Sequence, residues 1–315
     1  MKRKMLNVPK GGYDGMKGFT IVEFLVAGLL SVIVLIAVVS SYFTSRKLND
    51  AANERLAIQQ DLRNAATLIV RDARMAGSFG CFNMSEHIEQ DVVSDVTQKN
   101  SPFSLKRNST RNSANKLIPI AESSNIVYQG FAQVRPALIF QYGIDDVNAS
   151  AETTVVSSCG AISKPGKQIP TLEDAKKELK IQNSGKEQNG NIARQRHVVN
   201  AYAVGRIAGE EGLFRFQLDD KGKWGNPQLL VKKVKRMDVW YIYVFGCPED
   251  AGKEEQFKYT DKFDKSKDAV TPAGVEVLLD SGLNAKIAAS SDNSIYAYRI
   301  NATIRGGNVC ANRTL

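Results

Sequence analysis

The sharpest chemical problem in this chain is posed by Glu23. It is the only charged side chain between Phe19 and Val39, in the proline-free run FTIVEFLVAGLLSVIVLIAVV. Such a run has about the 20 residues needed to cross a bilayer core as a helix. A carboxylate at the centre of a spanning helix costs roughly 2.5 to 3.5 kcal/mol, and less near the interface. Glu23 therefore calls for a compensating cation. Ahead of the run, Lys2, Arg3, Lys4, Lys10 and Lys17 face a single acid, Asp14. By the positive-inside rule this flank stays cytoplasmic and the chain after Val39 faces outward. No small-residue cleavage site of the A-x-A kind follows Val39, as a secretory signal peptide would need. A Gly18-Phe19 junction stands before the run instead.

The other reactive side chains are dispersed. Cys81, Cys159, Cys247 and Cys310 all lie beyond the apolar run, with no C-x-x-C pair among them. Their even number suits two disulfides in an oxidising compartment better than a zinc site, which wants closely spaced ligands. Three connectivities are open, and free core thiols are the alternative. We expect Cys81 with Cys159 and Cys247 with Cys310, because the second bridge would pin the C-terminal strand and tail. His87 and His197 are far apart and have no cysteine or acid at ligand spacing, so neither a metal site nor a histidine triad is expected. Asp145-Asp146 and Glu210-Glu211 read as solvated turn acids, and the glycines form no phosphate loop. We expect no enzyme and no cofactor. Lys232, Lys233, Lys235 and Arg236 precede Met237-Asp238-Val239-Trp240-Tyr241. Lysines beside aromatics could bind DNA by its phosphates and bases. The simpler reading is an exposed strand edge kept from aggregating by lysine.

These residues need elements to position them. A composition of 43% hydrophobic and 24% charged residues supports a packed core and argues against wholesale disorder. The net charge of +9 is spread along the chain and says little about partners. After the apolar run, Leu48, Ala52, Leu56, Gln59, Leu62, Ala66, Ile69, Ala73 and Ala76 recur at steps of three or four. That is helical periodicity. The charged residues between them, including Asp61, Arg63, Arg71, Asp72 and Arg74, are assigned to a solvated face. With no glycine or proline between Gly28 and Gly77, one helix from Phe19 to about Ala76 is predicted, roughly 87 Å long at 1.5 Å per residue. Gly77 is its expected C-cap.

Beyond it, strands are predicted at Ile126 to Gln129, Ala137 to Tyr142, Thr153 to Ser157, His197 to Ile207, Leu213 to Leu218, Val239 to Phe245, Val275 to Leu279 and Ile295 to Ile304. Turns are expected at Asp219-Asp220-Lys221-Gly222 and Gly306-Gly307-Asn308. A short helix is expected at Thr171 to Leu179, capped by Thr171. The polar stretches Asp95 to Asn115 and Gln182 to Asn191 read as surface loops. The fold class is therefore α+β, a long helix packed on a mostly antiparallel sheet.

Lys17-Gly18-Phe19-Thr20-Ile21-Val22-Glu23-Phe24 closely resembles the recognition site of type IV prepilins, shared with type II secretion pseudopilins. The resemblance implies cleavage by the prepilin peptidase after Gly18 and methylation of Phe19, whose new α-ammonium a neighbouring subunit would offer to Glu23. The helix end, Arg71-Asp72-Ala73-Arg74-Met75-Ala76-Gly77-Ser78-Phe79-Gly80-Cys81, resembles that of the large minor pilins of the PilW family. Ser40-Ser41 stands where many major pilins carry a proline, so their kink is not expected here. The implied organisation is a leader at 1–18, a membrane or pilus-core half-helix at 19–43, an amphipathic half at 44–77 and a periplasmic β-rich head at 78–315. Such a head exceeds the usual domain of roughly 100 to 150 residues and suits a tip or priming complex better than a shaft. The implied role is that of a minor, or core, pilin that primes or supports type IV pilus assembly. It would reside in the inner membrane and then in the pilus, partnered by other minor pilins, the major pilin and the inner-membrane assembly platform. A type II secretion pseudopilin and a DNA-binding or adhesive tip module are the alternatives.

Overall fold

The computed structural model describes Gly18 and residues 20–98, 101–106, 115–181, 191–245, 256–266, 269–280 and 297–307. Helix α1 (Ile21–Met75) is followed by β1 (Ser78–Phe79), β2 (Phe82–Asn83), β3 (Val92–Asp95), β4 (Ile120–Ser123), β5 (Ala132–Gln133), β6 (Ala137–Ile144), β7 (Thr154–Ser157) and β8 (Ile162–Lys164). Then come α2 (Leu172–Glu178), β9 (Ala193–Ile207), β10 (Glu210–Leu218), β11 (Trp224–Lys232), β12 (Arg236–Phe245), β13 (Gln256–Thr260), β14 (Gly274–Asp280) and β15 (Ala297–Thr303). The chain divides into two units, Met1–Ala57 and Ile58–Leu315.

In the first unit every described residue from Thr20 to Ala57 is exposed. The apolar side chains stand open there, Ile21 and Phe24 being 80% and 74% exposed. The helix is long and apolar enough to cross a membrane. Two of its hydroxyls are already satisfied by its own backbone: Ser31 donates to the Ala27 carbonyl at 2.7 Å and Thr44 to that of Ser40 at 2.9 Å. In lipid, where water cannot serve them, that local bonding lowers their cost.

The second unit is α+β. A nine-stranded sheet runs β11-β10-β9-β7-β8-β3, with β5 and β6 joined to β9 and β4 to β6, and a four-stranded sheet runs β13-β12-β14-β15. The long β9 is the spine: it pairs with β10 and then β7 along one edge and with β5 and then β6 along the other, Arg196 being paired with β6 and β7 at once. The expectation of an antiparallel sheet is corrected at one place, because β3 and β8 run parallel. Both are short, and no local turn ties their directions. Ile126 to Gln129 is not a strand; Ile126 is buried from a loop whose N–H bonds to the Gln133 side chain at 2.8 Å. The Asp95 to Asn115 stretch is likewise not all surface, since Phe103 and Leu105 are buried in it. Of the second expected loop, residues 182–190 lie outside the described residues.

Both sheets and the end of α1 share one core. Ile58, Leu62, Ala65, Ile69 and Ala73 pack with Phe140, Tyr202, Val204 and Leu213 of the large sheet and Tyr241, Val275 and Val277 of the small one. At roughly 25 cal/mol per Å² of apolar area, this shared burial is what holds the helix end to the sheets. The buried stripe therefore runs through Ile58, Ala65 and Asp72, not through the expected Gln59, while Leu48, Ala52 and Leu56 are exposed. Across the core, the Tyr241 hydroxyl donates to Glu122 of β4 at 2.7 Å. Burial and then that carboxylate push its ionisation far above the ordinary tyrosine value.

The expected caps are present. Thr171 caps α2 by accepting from the Asp174 N–H, and Gly222 closes the β10–β11 turn with φ near +72°. Gly77 ends α1 with φ +81°, donating its N–H to the Gln141 carbonyl at 2.8 Å. A Cβ here would lie 3.1 Å from Pro119. The left-handed backbone alone costs a non-glycine residue about 1 to 2 kcal/mol. Gly77→Ala is therefore expected to lower thermal stability by at least that amount; an unchanged unfolding midpoint would contradict the geometry.

Candidate functional site

The first candidate lies at the head of α1. Thr20 is the residue before the helix and Glu23 is its third residue, the T-x-x-E arrangement in which each side chain serves the other's backbone. The Thr20 N–H and its hydroxyl both donate to Glu23 Oε2 at 2.9 Å, and the Glu23 N–H donates to Thr20 Oγ1 at 3.3 Å. The carboxylate also offsets the partial positive charge of the helix start. Glu23 is thus partly satisfied within its own chain, a local partnership that the sequence reading did not consider. Both bonds from Thr20 end on Oε2, which leaves Oε1 available to an outside cation. Gly18 is exposed, with open space where a Cβ would stand. Phe19 lies outside the described residues.

The second site is a buried carboxylate that the sequence reading placed on the solvated face. Asp72 is fully buried. Its Oδ2 accepts from the Tyr202 hydroxyl at 2.6 Å, from Asn200 Nδ2 at 2.9 Å and from Arg215 Nη2 at 3.3 Å. Its Oδ1 accepts from the Tyr142 hydroxyl at 3.0 Å and from Arg71 at 3.3 Å. One helical acid thereby collects side chains from β6, β9 and β10. Burial, with the Asp72 charge added, raises the Tyr142 ionisation to about 12 and that of Tyr202 still higher. Both hydroxyls remain donors at any ordinary pH. The arrangement is a polar lock between helix and sheet.

Cys81 and Cys159 are bonded to each other, Cα atoms 4.7 Å apart, as expected from the sequence. The bridge fixes the β1–β2 turn to the loop after β7. Cys247 and Cys310 lie outside the described residues.

The four basic residues are exposed and lie on the crossing between the two sheets. Lys232 ends β11, the edge strand of the larger sheet, and Arg236 begins β12, inside the smaller one. The Lys233 N–H bonds to the Glu211 carbonyl and the Lys235 N–H to that of Asp280, while Val234 between them is buried. Arg236 is held by Asp238 at 2.8 Å. Trp240 stacks on Tyr259, ring centres 4.7 Å apart, and not on any of these cations.

Several of the remaining titratable groups have structural partners. Asp146 faces Arg196 at 3.6 Å, Asp145 accepts from Gln195, and Glu211 lies 4.0 Å from Arg206. His87 pairs with Asp91 at 3.0 Å and stacks on Phe82. His197 is buried against Phe79 and Phe103 and meets Gln141 at 3.0 Å. Burial, with the Lys164 charge adding to it, holds its ionisation well below the usual histidine value. No family model matches the chain, and no curated protein matches it.

Proposed function

We propose that this chain is a minor, or core, pilin of the PilW kind that primes or supports assembly of a type IV pilus. The observation that carries the reading is the Gly18-Phe19 junction with Glu23 in the first turn of an otherwise uncharged helical segment whose described residues are all exposed. A surface of that kind needs lipid or other helices like itself. Cleavage after Gly18 by a prepilin peptidase would leave an α-ammonium on Phe19, with an ordinary pKa near ~8. Glu23 of an adjoining subunit, using the oxygen that Thr20 does not engage, then supplies the counter-charge. The pair would favour one axial register between stems.

In this reading the helix first anchors the protein in the inner membrane with its disulfide-bonded head in the periplasm. It then passes into the filament with other minor pilins and the major pilin, through the inner-membrane assembly platform. Work is done by association and no bond is turned over after the leader is removed. Mass spectrometry of the chain isolated from piliated cells tests the premise. The expected mature N-terminus is methylated Phe19. Recovery of a chain that still carries residues 1–18 would sink the proposal. Loss of pili with secretion intact on deletion separates this role from that of a type II secretion pseudopilin.

A further inference from the structure

Away from the helix, a cavity of about 330 Å³ is lined by Thr97, Ser101, Phe103, Glu152, Lys164 and Asp220, among others. That is near the lower end of the volumes that hold small ligands, roughly 300 Å³ upward. Lys164, the last residue of β8, is 1% exposed. Its Nζ donates to the Phe103 carbonyl at 2.9 Å and sits 3.0 Å from the centre of the Phe103 ring. An ammonium carries three N–H donors. Among the described residues this carbonyl is its one hydrogen-bond acceptor, and no carboxylate lies within ion-pair distance. Asp95 is already committed, to the Thr97 and Leu105 N–H groups and to the Ser104 hydroxyl. A buried charge left in this state is costly. Burial accordingly lowers the Lys164 ionisation to about 7, with Asp95 pulling the other way.

We propose that this cavity binds a small zwitterion, an α-amino acid whose carboxylate accepts the N–H groups that Lys164 leaves unspent and whose ammonium meets Glu152 and Asp220. The lining selects this chemistry. A phosphate dianion would face those two carboxylates, and a simple amine would leave Lys164 without a counter-charge. Asp220 is partly engaged, accepting from Arg196 at 3.2 Å, while Glu152 is exposed at the rim. Among the described residues, the charged and titratable groups around Lys164 are Asp95 on β3, His197 on β9, Glu152 before β7, and Asp220 and Lys221 in the β10–β11 turn. His197 is held neutral by burial, so Lys164 is the group that exchanges a proton near neutrality.

Titration calorimetry on the full chain in detergent micelles, with L-alanine, acetate and methylammonium as probes, tests this. L-alanine is expected to bind more tightly than either fragment. At about pH 8 binding should take up protons, read from two buffers of different ionisation heat, because the incoming carboxylate restores the charged form of Lys164. Lys164→Met is expected to weaken L-alanine at least about tenfold, the size of one lost charged hydrogen bond. Glu152→Gln, at an exposed position that does not disturb the core, should weaken it in the same direction. Acetate binding as tightly as L-alanine would overturn the zwitterion assignment. No heat from any probe, or wild-type affinity in both folded variants, would overturn the site.

Discussion

Asp72→Ala is expected to be among the most destabilising single substitutions in the chain. It removes the acceptor shared by Tyr142, Asn200, Tyr202, Arg215 and Arg71 and leaves the cation of Arg215, whose side chain is 13% exposed, without its buried partner. Breaking one side of a buried ionic cluster costs about 3 to 5 kcal/mol. For a unit of this size that corresponds to roughly 6 to 20 °C in the unfolding midpoint. Asp72→Asn keeps one acceptor oxygen and should lose less. The ordering matters as much as the size. If alanine and asparagine were equally well tolerated, to within about 1 kcal/mol, the cluster would be incidental to the packing of helix on sheet and the lock would be misread.

Glu23→Ala is expected to have the largest effect outside the head. Within one chain the loss is modest, about 0.5 to 2 kcal/mol for a cap, because helix α1 continues far past its first turn. Between chains the loss is larger. An α-ammonium buried among stems without a carboxylate is penalised by about 3 to 5 kcal/mol, or roughly two to three and a half decades in association at about 1.4 kcal/mol per decade. The variant should therefore insert into the membrane normally and be at least about a hundredfold depleted from sheared pili. Thr20→Val supplies the internal control. It removes the hydroxyl from the capping pair and should reproduce only the smaller, local loss. Wild-type amounts of Glu23→Ala in pili would remove the reason for placing this acid in a filament.

Much of the fold could be read from residue order because local and global signals agree. A helix with no breaker after Gly28 ends two residues before Gly77. The apolar runs around Phe140, Tyr202, Phe216, Tyr241 and Val277 all became strands. The failures are equally physical. Strand β11 is not among the predicted strands, since it contains Trp224-Gly225-Asn226-Pro227, yet its place at a sheet edge tolerates proline, and Asn226 takes the positive φ of +47°. Asp72 was misplaced because an acid was assumed to face water. A stronger signal was present: Ile58, Leu62, Ala65, Ile69, Asp72 and Ala76 recur at alternating steps of four and three, which puts the acid in the seam. Its partners come from strands 70 to 143 positions away, and no local pattern announces them. The Lys164 cavity was illegible for the same reason, since β3, β8 and the β10–β11 turn meet there only in three dimensions.

The bridge between Cys81 and Cys159 sits just past the end of α1 and joins positions 78 residues apart. A pull transmitted along the helix reaches the first sulfur almost at once and crosses to the second without passing through the polypeptide between them. The polypeptide from β2 to β7 is therefore not the covalent route for tension, although β6 shares the load through the bonds of Gln141 and Tyr142 to the helix end. Fully drawn out, that detour would add roughly 270 Å of slack at about 3.5 Å per residue. With the covalent shortcut closed, the slack stays locked away and a tug on the stem is delivered promptly to the rest of the sheet.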